Sequence, residues 1–381
     1  MDPSPRSLEV ELAAIAEHAE PGRTAGVGVR VWGWDGRGGV TLEAAGHDFG
    51  GITRERVRQL CERLATRIRA GADLDSGGVA APALTRALLT AADSAPTTAK
   101  QLARRLADEH IAARPFDPAG LLRAAEILGH DAPFALDVIK DVRVVLPNPP
   151  DPTADTAEVI AAILDTARAV VRRAGAARVS DVTGRVAASL GVWVDDDLVL
   201  AVVSEPADFV WLERRTGWFF LPSVARNAVT ARVVKILAVA GEAGLADLHA
   251  GVRRDERMKE FVMPEYILGE LCRRVPGLVV KDDRVSLGAP ARAEDVLETT
   301  ELTLVHLLRE HGGAMERHEL ERLCMTAGMK RSSFNNRVAY SPVIEERRAG
   351  VYGLRGGPGS GDGESPADRA RRQSGARGHG R

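Results

Sequence analysis

Side chains that can hydrogen-bond to DNA are concentrated in one segment near the N-terminus, residues 52–64 (ITRERVRQLCERL). Arg54 and Arg58 carry guanidinium forks, which can donate two parallel hydrogen bonds to guanine O6 and N7 or to a phosphate. The amide of Gln59 can pair in the same way with adenine, and the carboxylate of Glu55 can accept from cytosine N4. These residue types therefore indicate contact with the edges of DNA bases.

An amphipathic helix is the element that would present these side chains. Its apolar positions recur at helical spacing and predict one buried stripe, formed by Val57, Leu60, Cys61, Leu64 and Ile68. Thr53 is the expected N-cap, and Glu55 lies favourably in the first turn. Because Cys61 falls on the apolar stripe, we expect its thiol to be buried and unreactive.

A second, shorter amphipathic segment precedes this helix at residues 40–50 (VTLEAAGHDFG), with Thr41 as its expected N-cap. Gly50 and Gly51 join the two segments. Two helices joined by a tight glycine turn, the second rich in arginine and glutamine, are typical of a helix-turn-helix, whose second helix enters the major groove. The alternative is that the arginine-rich side is only a solvated helix surface.

Residues 34–60 (WDGRGGVTLEAAGHDFGGITRERVRQL) resemble region 4 of the sigma-70 family, the helix-turn-helix that reads the −35 promoter element. The resemblance implies that bases or nearby phosphates are addressed by Arg54, Glu55, Arg58 and Gln59. It also implies a backbone or partner contact for Arg56. Thr41 and Arg37 would reach phosphates from the scaffold side.

The resemblance covers about residues 20–70, and the sequence departs from the family pattern at two places. Gly50 and Gly51 stand where the family turn has a single glycine. The preceding segment, residues 20–36, is glycine-rich where the family has its first helix, so we expect that helix, which docks on RNA polymerase in the family, to be eroded. The whole chain resembles the actinobacterial type of protein that joins such a module to tandem winged helices.

Beyond a proline-rich segment at residues 146–155, one order of elements recurs three times. Each copy reads as three helical segments followed by a β-hairpin, which is the pattern of a winged helix. The predicted winged helices are residues 156–223, 226–289 and 296–356. Their closing leucines are Leu221, Leu287 and Leu354, which fall 66 and 67 residues apart. A repeat of this length predicts a tandem array.

The remaining segments complete the predicted organisation: a mainly α protein in which a helix-turn-helix (residues 1–72) is followed by the winged-helix array. Residues 73–148 are predicted to form a helical domain with a strand at 141–146 and a truncated hairpin; the alternative is a degenerate winged helix. Residues 357–381 lack large apolar side chains, so we expect a disordered tail.

The third helices of the three copies differ in chemistry. Residues 195–205 begin with three aspartates, which would repel phosphate and indicate a structural role, whereas residues 263–277 carry only two arginines. The last copy presents side chains that can donate to a DNA groove at Lys330, Arg331, Ser332, Ser333, Asn335, Asn336 and Arg337. Its hairpin tip adds Arg347 and Arg348. The sequence therefore predicts a second DNA-binding surface there.

Composition limits the class of function. The chain has 381 residues with 51 basic and 53 acidic side chains, so any contact with DNA must be local. The three cysteines form no CxxC pair, which argues against a zinc site or a disulfide framework and favours a reducing cytoplasm. We find neither a nucleophile–base pair nor a cofactor motif, and no segment apolar enough to cross a membrane. We therefore expect a cytoplasmic protein that is not an enzyme and holds no metal or cofactor.

The leading hypothesis is a sequence-specific protein that binds double-stranded DNA and regulates transcription. The alternative is a non-enzymatic adaptor whose winged helices bind protein partners, such as RNA polymerase or the subunits of a DNA-acting complex. The near-neutral charge and the acidic third helix of the first clear copy favour the adaptor. The target sequence, activation or repression, an effector and the oligomeric state are left open by the sequence.

Overall fold

The computed structural model describes residues 6–74, 81–150, 155–258 and 262–356. Within these residues the chain is mainly α-helical, with 17 α-helices and four small three-stranded antiparallel sheets. This confirms the predicted mainly α fold. The predicted disordered tail, residues 357–381, lies outside the described residues. No helix of the described chain is long and apolar enough to cross a membrane.

The chain divides into two compact units, Met1–Ala167 with Val179–Ala207, and Arg168–Arg178 with Asp208–Arg381. The domain boundaries predicted from the sequence differ from this division and stay a prediction. The predicted copy at residues 156–223 is divided, since its second and third helices fall in the first unit and its strands in the second.

The first unit contains ten helices, including one that crosses its boundary, and one described sheet. The helices are α1 (Leu8–Ala19), α2 (Arg23–Trp32), α3 (Leu42–Asp48), α4 (Arg54–Leu74), α5 (Pro82–Ser94), α6 (Ala99–Asp108), α7 (Pro118–Leu128), the N-terminal part of α8 (Thr156–Ala174), α9 (Val179–Leu190) and α10 (Asp196–Val203). The strands are β1 (Thr97–Thr98), β2 (Phe134–Ile139) and β3 (Val142–Pro147), in the order β1–β3–β2.

The hairpin formed by β2 and β3 corrects the expectation of a truncated hairpin in residues 73–148. The two strands pair from Phe134 opposite Pro147 to Ile139 opposite Val142. Lys140 and Asp141 connect them, both with positive φ (49° and 67°), as a two-residue hairpin turn requires. The first strand was missed because its side chains past Phe134 are largely exposed and carry no clear apolar alternation.

One hydrophobic core joins α1 to α7 and the sheet in the first unit. The predicted apolar stripe of α4 is buried, with Val57 and Leu64 fully enclosed, and the core extends from Leu8 to Val145. The segment before the helix-turn-helix takes part in it. Glu11 on α1 is buried and accepts the Ala83 N–H at the start of α5 at 3.0 Å, so its carboxylate caps that helix.

The expectation of an eroded helix at residues 20–36 is wrong, because α2 forms there. Its glycines serve close packing: a Cβ at Gly28 would overlap the Leu64 side chain of α4. Tertiary packing therefore overrides the low helix propensity of glycine at this position. A helix thus precedes α3 and α4.

The second unit contains the C-terminal part of α8 and nine further strands. Its other helices are α11 (Ala228–Ala240), α12 (Leu245–Arg254), α13 (Glu265–Arg274), α14 (Ala293–Val296), α15 (Thr299–Glu310), α16 (Arg317–Thr326) and α17 (Arg331–Tyr340). The strands are β4 (Ala177–Arg178), β5 (Val210–Glu213), β6 (Trp218–Phe220), β7 (Glu242–Gly244), β8 (Leu278–Lys281), β9 (Arg284–Leu287), β10 (Ala314–Glu316), β11 (Ile344–Arg348) and β12 (Val351–Leu354).

These strands form three sheets with the same topology, β4–β6–β5, β7–β9–β8 and β10–β12–β11. In each sheet a short strand pairs with the second strand of a later hairpin. In the last two copies, two α-helices separate the short strand from the hairpin along the chain. The last copy therefore runs α15, β10, α16, α17 and the hairpin β11–β12. This order places α17 directly before the hairpin.

Candidate nucleic-acid interface

The turn between α3 and α4 is built as the sequence predicts. The Thr41 hydroxyl accepts the Ala44 N–H at 3.2 Å, and the Thr53 hydroxyl accepts the Arg56 N–H at 3.2 Å, so both threonines act as N-caps. Gly50 and Gly51 have φ values of 83° and 72°, which β-carbon-bearing residues adopt only with strain. Both glycines are therefore used by the turn, and α4 leaves it with its polar side exposed.

The polar side of α4, here called the α4 face, consists of Arg54, Glu55, Arg56, Arg58 and Gln59, all of them exposed. Most of these side chains bind each other. Arg58 Nη2 donates to Glu55 Oε1 at 2.7 Å and its Nη1 also pairs with Glu62. Gln59 donates to Glu55 at 3.2 Å, and Arg56 donates to Gln59 at 3.4 Å. The Arg58 guanidinium holds the pKa of the Glu55 carboxyl below its usual value.

Arginines at the edge of the α4 face are also paired. Arg63 and Arg67 both bind Glu20, which follows α1, and the distance from Arg67 Nη1 to Glu20 Oε2 is 3.4 Å. Burial raises the pKa of Glu20, but the bonds from Arg63 and Thr24 and the charge of Arg67 lower it by more. These arginines therefore hold α4 to the rest of the first unit.

Two of the predicted DNA contacts in this region keep free guanidinium groups. Arg54, at the first turn of α4, and Arg37, before α3, are exposed and make no ion pair within the described residues. The N-terminus of a helix also attracts anions through its unpaired N–H groups. This end of α4 is therefore suited to a phosphate contact more than to base readout.

The outward side of α17 has a different chemistry. We call Lys330, Arg331, Ser332, Asn335 and Asn336 the α17 face; all five are exposed. The helix itself contains no acidic residue. Its opposite side is anchored, because Phe334 and Val338 are fully buried. Ser333 is half-buried between the two sides.

Cations near α17 find their carboxylates on other elements. Arg331 pairs with Glu321 on α16, with 2.6 Å between Nε and Oε1. Arg337 turns away from the α17 face: it donates to Thr300 Oγ1 at 2.9 Å and pairs with Glu298. Arg337 was predicted as a groove contact, but in the structure it anchors α17 to the start of α15.

A buried carboxylate completes this anchor. Glu301 on α15 is 1% exposed and pairs with Lys235 on α11, with 2.6 Å between Nζ and Oε2. Its other oxygen accepts the Ser341 hydroxyl, directly after α17, at 2.9 Å and lies 4.0 Å from Arg337. The end of α17 is thus tied to α15 and α11 through one charged centre.

The two predicted arginines of the hairpin are placed differently. Arg347 lies at a bulge in β11, is largely covered, and donates to the Leu354 carbonyl at 3.2 Å. Arg348 is exposed and lies 3.8 Å from Glu316. The hairpin therefore presents Arg348 to solvent, while Arg347 packs on the sheet.

One residue near the α17 face escaped the sequence prediction. Arg317, the first residue of α16, donates from Nη2 to Asn335 Oδ1 at 2.7 Å. Its guanidinium lies over the rings of Phe334 and Tyr352, 5.7 and 5.9 Å from their centroids. It was missed because it lies outside the third helix and the hairpin tip, from which the DNA contacts of this copy were predicted.

The third helices of the other copies offer less to a groove. Most of α7 is buried, namely Pro118, Gly120, Leu121, Ala124, Ala125, Ile127 and Leu128. α10 begins with acidic residues, of which Asp195 caps the helix and Asp196 and Asp197 are exposed. Trp193, just before α10, is 84% exposed and was not predicted as a contact. α10 therefore has an acidic and aromatic surface that disfavours phosphate.

The cysteines and the potential metal ligands of the described residues are the next groups to place. Cys61, Cys272 and Cys324 are buried and unpaired, and burial raises the pKa of the Cys61 thiol to about 11. This confirms that Cys61 is buried. The described residues contain no group of three or more side chains that could together hold a metal ion.

Comparison with models of known protein families and with curated protein sequences gave no match. The resemblance to sigma-70 region 4 thus stays an expectation drawn from the residues. What the protein does has to be argued from the chemistry of its surfaces.

Proposed function

We propose that the protein binds double-stranded DNA sequence-specifically and regulates transcription in the cytoplasm. The observation that carries the proposal is the α17 face, which combines amides, a hydroxyl and cations with no carboxylate on the same helix. Amides and hydroxyls can read base edges in the major groove, and cations can bind the phosphates on either side. The buried side of α17 would hold this surface rigid.

In this proposal the last copy is a winged helix, with α17 as its recognition helix and the hairpin β11–β12 as its wing. Asn335, Asn336 and Ser332 would contact bases. Lys330 and Arg331 would contact phosphate at the start of α17, and Arg348 would do so from the wing. A net charge of −2 for the whole chain fits a protein whose contact with DNA is confined to such surfaces.

The α3–α4 pair would act as a second helix-turn-helix, of the kind that the sigma-70 resemblance suggests. Arg54, Arg37 and the Thr41 hydroxyl are available for phosphate. Base contacts from Arg58 and Gln59 require their bonds to Glu55 to open, although the cost of opening such exposed pairs is small. We therefore assign the α4 face mainly to phosphate contact and the α17 face to base readout.

Binding-site selection tests the proposal. The intact protein is incubated with a pool of random duplexes at two salt concentrations, and the bound DNA is sequenced. We expect one enriched sequence and an affinity that falls steeply with salt, because each phosphate contact releases counterions. Equal, weak binding to all sequences at both salt concentrations would overturn base-specific recognition.

A second candidate function is favoured by the surface at α10. A tryptophan that is 84% exposed beside exposed aspartates is suited to a protein partner with apolar and basic side chains. An adaptor that binds RNA polymerase would use this surface. The test is the affinity of purified RNA polymerase for the intact protein and for Trp193→Ala, with Leu89→Ala, another exposed apolar position, as the control. A loss of about tenfold confined to Trp193→Ala supports the adaptor, whereas equal affinities exclude this surface.

A further inference from the structure

Arg317 occupies a position from which it can control what Asn335 reads. Its side chain reaches from α16 to the α17 face and donates to Asn335 Oδ1 at 2.7 Å. We infer that Arg317 is a positioning residue that turns the Asn335 amide group outward, so that this position of the DNA site prefers guanine to adenine. The inference rests on the proposed DNA-binding function.

Arg317 is itself fixed at both ends. Its backbone N–H donates to the Gly350 carbonyl in the hairpin turn at 2.8 Å. Its guanidinium lies over Phe334 of α17 and Tyr352 of β12, at distances typical of cation–π contacts. A half-buried arginine with these contacts holds one orientation relative to both α17 and the hairpin.

The bond from Arg317 decides which atom of the Asn335 amide is available. A guanidinium has only donors, so the atom that faces it must be the amide oxygen. The NH₂ group of Asn335 is then the end directed to other partners, with two donors. A charged donor on the oxygen also polarises the amide and strengthens these donors.

Base edges in the major groove discriminate between the two ends of an amide. Guanine presents two acceptors, N7 and O6, to which an NH₂ group can donate. The bidentate pair with adenine needs the amide oxygen as well, to accept from N6–H. Because the oxygen of Asn335 is held towards Arg317, its NH₂ group is the end left to meet a base, so guanine is favoured and adenine disfavoured.

Asn336 provides an internal comparison on the same helix. It is exposed, and its amide makes no hydrogen bond within the described residues. Both ends of this amide are therefore open, as the bidentate contact with adenine requires. The two neighbouring asparagines should consequently read different bases.

The test repeats the binding-site selection with Arg317→Met and Asn335→Ala. Methionine keeps an apolar side chain over the two rings but has no donor. We expect the wild type to prefer guanine over adenine by about tenfold at one position. Asn335→Ala should lose the preference there, and Arg317→Met should shift that position towards adenine while other positions keep theirs.

Two further variants make the result specific. Arg331→Met removes one positive charge, as Arg317→Met does, but from the α17 face itself. It should weaken binding to all sequences without changing any base preference. Arg317→Lys keeps a cationic donor and should keep the preference for guanine. Arg317→Leu, which also has an apolar side chain and no donor, replaces Arg317→Met if thermal unfolding shows that the methionine variant does not fold.

The outcomes separate the inference from the function on which it rests. If the wild type enriches no sequence, the proposed function fails. If it enriches a sequence but Arg317→Met leaves the preference at the Asn335 position unchanged, the inference is overturned and the function stands. The inference is also overturned if the position whose base preference is lost in Asn335→Ala prefers adenine in the wild type.

Discussion

The α4 face and the α17 face carry similar cations but neutralise them in different ways. On α4, Arg58 binds Glu55 and Glu62 of its own helix, one turn before and one turn after it. On α17, Arg337 binds Glu298 and Thr300 of another element. The first arrangement pairs the exposed side chains of α4 with one another. On the α17 face, by contrast, Arg331 and Asn335 are bound by residues of α16, and the other side chains stay open for a ligand.

Because of this difference, α17 lacks a source of helix stability that α4 has. Pairs three or four residues apart stabilise a helix by about 0.2–0.5 kcal/mol each, without help from neighbouring elements. α17 has no such pairs and depends on tertiary anchors, namely Phe334, Val338 and the bonds of Arg337. A helix without pairs among its own side chains must be held from its buried side.

Glu301→Gln is the change with the largest expected effect. It removes the buried charge that pairs with Lys235 and lies near Arg337, and breaking a buried pair from one side costs about 3–5 kcal/mol. We expect a loss near the lower end of this range, because both cations are partly exposed. Urea unfolding of the intact protein measures it. The control is Glu310→Gln on the same helix, an exposed position, and a loss no larger than that of the control would contradict the anchor.

Replacing the acidic residues of α4 should have a smaller effect, and it should raise the affinity for DNA. Glu55→Gln with Glu62→Gln frees Arg58, so we expect affinity for DNA to rise by about two- to fivefold, in line with the modest strength of exposed pairs. The slope of log affinity against log salt should steepen by about one, for one added phosphate contact. Fluorescence anisotropy over a salt series measures both. An unchanged slope would show that Arg58 does not face the DNA.

The pairing of Glu20 with Arg63 and Arg67 predicts a smaller effect, on acid stability. The pKa of Glu20 is lowered from its ordinary value of 4.5, so the ion pairs stabilise the fold above that pH and are lost as the pH falls through the lowered value. We expect the stability difference between wild type and Glu20→Gln to be constant above pH about 5.5 and to shrink at lower pH. Because both arginines are about half exposed, the difference should be below about 1 kcal/mol. A difference that grows on acidification would contradict the assignment.

Local features of the fold were predictable from the sequence. The apolar stripe of α4 and the caps at Thr41 and Thr53 depend only on residues within a few positions of each other, and all three are present. Helix α2 and strand β2 were not predictable in this way. α2 packs closely through its glycines, Gly28 against Leu64 of α4 and Gly26 against Phe49. β2 lacks the alternation of apolar residues that marks a half-buried strand.

The candidate site was predictable as a set of residue types but not as a set of available groups. On the α4 face the missing step was local, because the spacing of Glu55, Arg58 and Glu62 permits pairs one turn apart that the sequence analysis did not consider. By contrast, the inward turn of Arg337 depends on Glu298, and the role of Arg317 depends on contacts with α17 and the hairpin. These contacts join residues far apart in sequence, which periodicity and spacing do not reveal.

The contrast between the two faces can be tested in one experiment. Wild type, Asn335→Ala with Asn336→Ala, and Arg58→Ala with Gln59→Ala are titrated in parallel with the duplex that the wild type selects. The account predicts a loss of about tenfold or more for the α17 pair and less than about threefold for the α4 pair. The reverse order, with binding lost through Arg58 and Gln59 and retained without the two asparagines, would contradict it.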